Sequence, residues 1–275
     1  MMSLLASLPS PDSGSISLGP LRLNAYGALI ALGVVVATWL TGRRFEAKGV
    51  GTRDDASSLA IWGVPAGVVG GRLYHVVTDW QKFSDDPVKI LQVWKGGLGV
   101  WGGIALGVVV GLIVARRRGI PIGAALTCVA PGLAFAQAIG RWGNWFNQEL
   151  FGRPTSLPWA LEVSARTAER AGYDPGTTFH PTFLYESIAC ALLGAVLLWW
   201  DRARPMRPGR LFAAYVMGYT SFRFFIEGLR VDEAKEAGGL RLNQWTSIAV
   251  FAATVVALLA TRNRQQVEPA PTEAG

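Results

Sequence analysis

Residues 140–152 read Gly-Arg-Trp-Gly-Asn-Trp-Phe-Asn-Gln-Glu-Leu-Phe-Gly, directly after the apolar run 122–139. Arg141, Asn144, Asn147 and Glu149 thus place a cation, two carboxamides and a carboxylate beside a strongly hydrophobic segment, where each is costly unless it binds another polar group or a ligand. Other polar residues stand at the ends of apolar runs in the same sense. Tyr26 begins the first run, Arg72 and His75 end the second, His180, Tyr185 and Glu186 open the fifth, and Arg223 and Glu227 close the sixth. Gathered at one membrane depth, such ends make the kind of polar site a helical bundle can hold.

The chemistry these residue types suit is anion recognition. A guanidinium offers a planar fork of donors that matches phosphate oxygens two at a time. Two of them would favour a phosphodiester and, more strongly, a departing phosphomonoester. Tyr26, Asn144 and Asn147 add neutral hydrogen bonds suited to glycerol or ester oxygens. Arg223 and Glu227 lie four apart, so on a helix they share a face, and an internal ion pair and a ligand role for Arg223 are both open. A carboxylate as deep as Glu186 requires a donor such as Arg141 or a tyrosine hydroxyl. His75 could be an acid/base group or a boundary residue, while His180, before Pro181, is placed to orient a helix start. These residues together predict a phospholipid-binding cavity open to the outer leaflet.

The elements that must position them are membrane helices. The chain is 51% hydrophobic and 16% charged with a mean hydropathy of +0.30, too apolar for an ordinary soluble domain of 275 residues, and its 11 Trp and 33 Gly suit interfaces and close helix contacts. Apolar runs at 23–41, 59–77, 98–115, 122–139, 183–200, 211–226 and 245–260 each approach the roughly 20 residues a crossing needs. The expected fold is all-α and polytopic, with about seven transmembrane helices.

Basic residues collect in alternate connections, around 43–53, 116–118, 202–210 and 262–264, and account there for the whole net charge of +7. The positive-inside rule makes that face cytoplasmic, with the N-terminus outside and the C-terminus inside. Residues 1–20 are then an extracytoplasmic lead, 21–260 the bundle, with 152–180 as an extracytoplasmic cap or subdomain, and 261–275 a cytoplasmic polar tail. The N-terminus lacks the pattern of a cleavable signal peptide, so the first apolar run is expected to remain as a span. The basic pI of 9.8 is explained by this topology, and no nucleic-acid partner is expected. Gly99, Gly103, Gly107 and Gly111, and likewise Gly63, Gly67 and Gly71, recur at intervals of four and predict tight contacts between helices.

Cys128 and Cys190 lie inside apolar runs, and His75 and His180 are far apart in sequence, so no metal site, cofactor, disulfide or cysteine nucleophile is expected. A transporter for a phosphate-bearing or other anionic substrate is the alternative. Against it stand the bias of polar residues to one face and the lack of an internal repeat.

Gly140, Arg141, Gly143, Asn144, Asn147, Glu149 and Gly152, with the run His-Pro-Thr-Phe-Leu-Tyr-Glu at 180–186 and Arg-Phe-Phe-Ile-Glu at 223–227, make the chain resemble the prolipoprotein diacylglyceryl transferase family. The resemblance covers nearly the full chain in order. It implies a multi-pass enzyme of the bacterial cytoplasmic (inner) membrane, active on the extracytoplasmic side. Its partners would be membrane lipids, phosphatidylglycerol as donor and a prolipoprotein signal peptide with its lipobox cysteine as acceptor. By this resemblance Tyr26, Arg141, Asn144, Glu149, Gly152, Arg223 and Glu227 take essential positions. Arg141, Arg223, Glu149 and Glu227 are the catalytic candidates; Tyr26, Arg72, Trp101, Asn144, Asn147, Gly152, His180, Tyr185 and Glu186 are the expected substrate-binding set.

One position departs from the family pattern. Trp101-Gly102-Gly103 stands where many members carry His-Gly-Gly. Trp can pack on a lipid chain or stack on a guanidinium, but it cannot accept a proton, so a histidine base at that place is excluded. The expected reaction is attack by the acceptor thiolate on the glyceryl carbon next to the phosphate, favoured by the field of Arg141 and Arg223. Proton acceptance is open among Glu149, Glu227, bulk water and the departing phosphate.

Overall fold

The computed structural model describes residues 7–18, 21–84, 86–93, 96–204 and 206–264. Residues 1–6, 19 and 20 of the expected lead and everything beyond 264 in the expected tail lie outside the described residues. The helices are α1 (Ala25–Ala47), α2 (Arg53–Thr78), α3 (Val100–Arg117), α4 (Ile122–Asn147), the short α5 (Ala165–Arg170), α6 (Thr182–Ala203), α7 (Arg210–Leu229) and α8 (Leu242–Arg264). Short strands lie between them: β1 (Leu8–Pro9), β2 (Ser15–Leu18), β3 (Leu21–Asn24), β4 (Leu161–Glu162), β5 (Thr178–Phe179), β6 (Glu236–Ala237) and β7 (Leu240–Arg241).

The fold is predominantly helical and polytopic. Every long helix overlaps one of the apolar runs, and α1, α3, α4, α6 and α8 are long and apolar enough to cross a membrane by length and composition. Helices α2 and α7 are of similar length but carry more charge, Arg53, Asp54, Asp55 and Arg72 in one, Arg210, Arg223 and Glu227 in the other. The chain divides into two compact units, Thr38–Val129, and Met1–Ala37 with Ala130–Gly275.

In the unit Thr38–Val129, α2 and α3 meet along a glycine seam. A Cβ on Gly70 would lie 2.3 Å from the Gly102 carbonyl oxygen, and one on Gly102 2.2 Å from that of Gly70, so the two backbones touch and no side chain fits between them. Gly63, Gly67 and Gly71 face Gly107, Gly103 and Gly99 along the same seam, so the two ladders are each other's partners. Gly111 departs from the ladder and faces open space. The capping box of Thr52 and Asp55 starts α2. Further along, Pro131 lacks an N–H and so frees the Thr127 carbonyl inside α4. Arg44 donates to the carbonyls of Thr127 and Cys128, both at 3.0 Å, which satisfies the break.

In the second unit, Leu197 of α6 and Leu211 and Tyr215 of α7 pack on Ala130 and Ala134 of α4. A smaller core of Phe151, Leu161, Ala168, Phe179 and Phe183 supports the segment 152–180. There β4 lies between β1, parallel to it, and β5, antiparallel, with Leu161 opposite both Leu8 and Phe179. Helix α4 runs to Asn147, eight residues past the end of its apolar run, because Trp142 and Trp145 pack on Phe183 and keep one face of the polar stretch apolar.

Candidate active site

Arg141 of α4, Glu186 of α6 and Arg223 of α7 converge. The Arg141 Nη2 lies 2.7 Å from Glu186 Oε1, and Arg223 Nη1 lies 3.1 Å from Glu186 Oε2. The Tyr219 hydroxyl donates to Glu186 Oε1 at 3.5 Å. Glu186 therefore has both kinds of donor that its sequence context demands. Arg223 also pairs through Nη2 with Glu227, one helical turn on.

Glu227 is fully buried and carries the chain of charges further. Arg230 reaches its Oε2 at 3.3 Å, Arg241 its Oε1 at 3.5 Å, and the Asn243 amide donates to Oε1 at 3.1 Å. Arg230 and Arg241 both hold Asp232, at 2.7 and 3.1 Å. Arg241 further donates to the Glu227 and Arg230 carbonyls at 3.0 and 3.2 Å. Burial raises the Asp232 carboxyl, but the Arg230 hydrogen bonds and the charges of Arg230 and Arg241 outweigh it and hold the group below its ordinary value. Four guanidiniums thus face three carboxylates, and the array has one positive charge in excess.

The donors are not spent equally. Arg230 and Arg241 are committed to carboxylates and carbonyls, with side chains 8% exposed. Arg141 is 21% exposed, and its Nε and Nη1 have no hydrogen-bond partner among the described residues.

The end of α4 holds a second group. A Cβ on Gly143 would lie 2.4 Å from the Tyr26 ring, so the glycine lets Tyr26 lie flat on the turn between Arg141 and Asn144. Asn144, buried, and Asn147 donate to Glu149 Oε1 at 2.9 and 3.3 Å. Glu149 sits between Gln148 and Leu150, which have φ of 51° and 60°, left-handed values rare for residues other than glycine. The Gln148 side chain holds this turn by donating to the Pro11 carbonyl at 2.9 Å and accepting from the Ser164 amide at 2.8 Å. Thr182 donates to the Leu150 carbonyl from the start of α6.

Gly152 joins the two groups. It bridges to Arg230, and its N–H donates to the His180 carbonyl at 2.9 Å. A Cβ there would lie 2.8 Å from that of His180 and 3.2 Å from the Leu229 carbonyl, so only glycine admits the strand at this point. His180 Nδ1 lies 3.0 Å from the Tyr185 hydroxyl, which also accepts from Trp159 Nε1 at 2.9 Å. Tyr26, Arg141, Asn144, Asn147, Glu149, Gly152, His180, Tyr185, Glu186, Arg223 and Glu227 all belong to the same compact unit.

Arg72, His75 and Trp101 belong to the other. Arg72 is buried and gives its donors to main-chain carbonyls, those of Lys89, Ile90 at 2.9 Å, Gly96 at 2.7 Å and Gly97 at 3.0 Å. Its guanidinium also lies 5.0 Å from the centre of the Phe83 ring. His75 pairs with Asp79 at 3.1 Å, and Trp101 is exposed in the first turn of α3.

Sequence reasoning missed Tyr219, Arg230, Asp232, Arg241 and Asn243. The signal was present as the density of charge between α7 and α8, but spacing along a loop does not say which charges turn inward. Among the described residues, no three His, Cys, Asp or Glu side chains gather as a metal site.

Comparison with known proteins bears on the whole arrangement. The sequence model of a family described as prolipoprotein diacylglyceryl transferase matches residues 14–260. The phosphatidylglycerol–prolipoprotein diacylglyceryl transferase of Streptomyces griseus is 52% identical over 255 residues, 92% of this chain and 77% of that protein. Proteins of the same name from Frankia alni and Corynebacterium efficiens are 46% and 45% identical, over 98% and 93% of this chain and 71% and 83% of their own lengths. The match takes in α1 to α7, the Arg141–Glu186–Arg223 convergence and the Asn144–Glu149 turn together, and the chain belongs to the prolipoprotein diacylglyceryl transferase family.

Proposed function

We propose that the protein transfers the diacylglyceryl group of phosphatidylglycerol to the lipobox cysteine thiol of a prolipoprotein, forming a thioether and releasing glycerol phosphate. Family membership supports the reaction. The observation that supports its location is the pair of guanidiniums on Glu186, one of which, Arg141, keeps unspent donors. A lipid phosphate can take those donors while Glu186 keeps the two cations together.

The acceptor sulfur attacks the glyceryl carbon that carries the phosphate ester. The S–C bond forms, the C–O bond breaks, and the electron pair stays on the glycerol phosphate, which gains a second negative charge. Arg141 and Arg223 stabilise that charge as it develops, in a setting that excludes much of the water. Tyr26, Asn144 and Asn147 bind glycerol or ester oxygens, and Glu227 fixes the direction of Arg223. Gly152, His180 and Tyr185 shape the wall of the site. Within its own unit, Arg72 fixes the carbonyls it holds, and Trp101 offers an exposed apolar surface to lipid chains.

Seven helices cross the inner membrane in this reading, α2 and α7 among them, with the N-terminus outside, the C-terminus in the cytoplasm and the site facing out. The segment 152–180 is an extracytoplasmic cap, and residues 1–20 and 261–275 are the outer lead and inner tail. The test is incubation of the purified protein with phosphatidylglycerol and a lipobox peptide, measuring glycerol phosphate and the thioether product. Wild-type protein should form both in equal amounts and Arg141→Ala neither; absence of thioether from the wild type would overturn the assignment.

A further inference from the structure

We infer that Glu149 is the base that takes the proton from the acceptor thiol, an assignment that rests on the transfer reaction proposed above. Three carboxylates are candidates, Glu149, Glu186 and Glu227, and their partners separate them. A carboxylate has about four lone-pair positions for donors. On Glu227 they are filled, by Arg223 and Arg230 at Oε2 and by Arg241 and Asn243 at Oε1. Glu186 is 3% exposed and receives Arg141, Arg223 and Tyr219. A proton on either would stand against guanidinium donors and break an ion pair in a buried place.

Glu149 differs in both respects. Its two donors, Asn144 and Asn147, are neutral, and both bind Oε1. Oε2 has no hydrogen-bond partner among the described residues, and the side chain is only partly buried. A proton can settle there without the loss of any charge pair.

The position of Glu149 suits the task. Its N–H donates to the Asn144 carbonyl at 3.1 Å, which ties it to the end of α4, and Asn144 lies one turn from Arg141. Three residues on, Gly152 bridges to Arg230 of the charged array. The left-handed backbone at Gln148 and Leu150 is one that residues with a side chain seldom adopt. It is held by the side-chain bonds of Gln148 and Thr182, so Glu149 is aimed by its surroundings and not by local preference. His180, whose carbonyl accepts from the Gly152 N–H, has Nδ1 engaged with Tyr185.

In the step, the S–H proton passes to Glu149 Oε2 as the S–C bond forms and the C–O bond breaks. It then leaves Glu149 for the released phosphate or for water, which returns the carboxylate to its starting state.

The experiment compares wild type and Glu149→Gln on two acceptor peptides that differ only in cysteine or selenocysteine. Glutamine keeps the oxygen that accepts from Asn144 and Asn147 but cannot take the proton. With the cysteine peptide at pH 7, kcat should fall about 100-fold or more, while KM for phosphatidylglycerol holds. The variant's rate should then climb about tenfold per pH unit toward the thiol value near 8.5, with no such climb in the wild type. With the selenocysteine peptide, already ionised at neutral pH, most of the loss should vanish, which also shows that the variant is folded. Equal losses on both peptides, or a pH profile parallel to that of the wild type, would remove Glu149 as the base. Failure of the wild type to make thioether from the cysteine peptide would instead sink the transfer reading.

Discussion

The α2–α3 hairpin and the α6–α7–α8 region bury arginine in opposite ways. Arg72 spends its donors on the carbonyls of the segment 89–97, neutral acceptors fixed in the main chain. Arg141 and Arg223 face a charged side-chain group, the Glu186 carboxylate, and Arg141 has donors to spare. The packing follows the same division. Helices α2 and α3 touch backbone to backbone through Gly70 and Gly102, whereas α6, α7 and the α7–α8 loop are joined through ionised side chains. A guanidinium saturated by carbonyls holds a loop in one shape; one that shares a carboxylate can take a second anion.

The largest effect should come from breaking the ionic region. Arg223→Ala leaves Glu186 and Glu227 short of a cation in a buried place and should cost about 3–5 kcal/mol, read as a lower unfolding temperature in detergent together with loss of transfer. Arg223→Lys sharpens the contrast. It keeps the charge and loses the fork, so the protein should remain folded while transfer falls roughly 100-fold. Full activity in that variant would show that charge alone suffices.

The glycine seam should respond to volume. Gly102→Ala puts a methyl group 2.2 Å from the Gly70 carbonyl oxygen and should cost about 1–3 kcal/mol. Gly111→Ala, in the same ladder but facing open space, should cost nothing and stabilise the helix by up to about 1 kcal/mol. Equal effects would mean that the seam is not where α2 and α3 meet.

A smaller change is expected at the tether of the 89–97 segment. Arg72→Lys cannot reach all four carbonyls at once and should admit protease between α2 and α3 before the rest of the chain is cut. The smallest is a pH effect at Asp232. Its folded carboxyl lies below the ordinary 3.8, so the stability it contributes is complete above that value and is lost as pH falls through the lower, folded one. Asp232→Asn should lack this contribution, and its unfolding temperature should approach that of the wild type as the solution is acidified below pH 3.8. A constant gap between the two would deny the ion pairs with Arg230 and Arg241 any share in stability.

The helices were legible because hydrophobic runs of membrane length are a local property, and each of the seven runs coincides with a long helix. The i to i+4 pair Arg223–Glu227 and the glycine ladders were legible for the same reason, since helical geometry converts spacing directly into a shared face. Helix α4 is longer than its run because Trp142 and Trp145 bury a face against Phe183, forty residues away, which hydropathy along α4 does not register. Gly70 and Gly102 fall outside the four-residue ladders, yet they make the closest contact; which glycines touch depends on how the second helix is rotated.

Residue types and their order thus determine that the chain makes membrane-length helices, that phosphate-binding side chains stand at the ends of several of them, and that Trp101 removes one possible base. Tertiary structure decides how those side chains are spent. Arg72 is turned to carbonyls and Arg141 and Arg223 to a common carboxylate; Glu227 is enclosed by three arginines and Glu149 by two amides. The reason is that an isolated arginine or glutamate has the same donors or lone pairs wherever it stands in the sequence. What distinguishes one from another is which partners the fold brings within about 3 Å, and those partners lie on other elements.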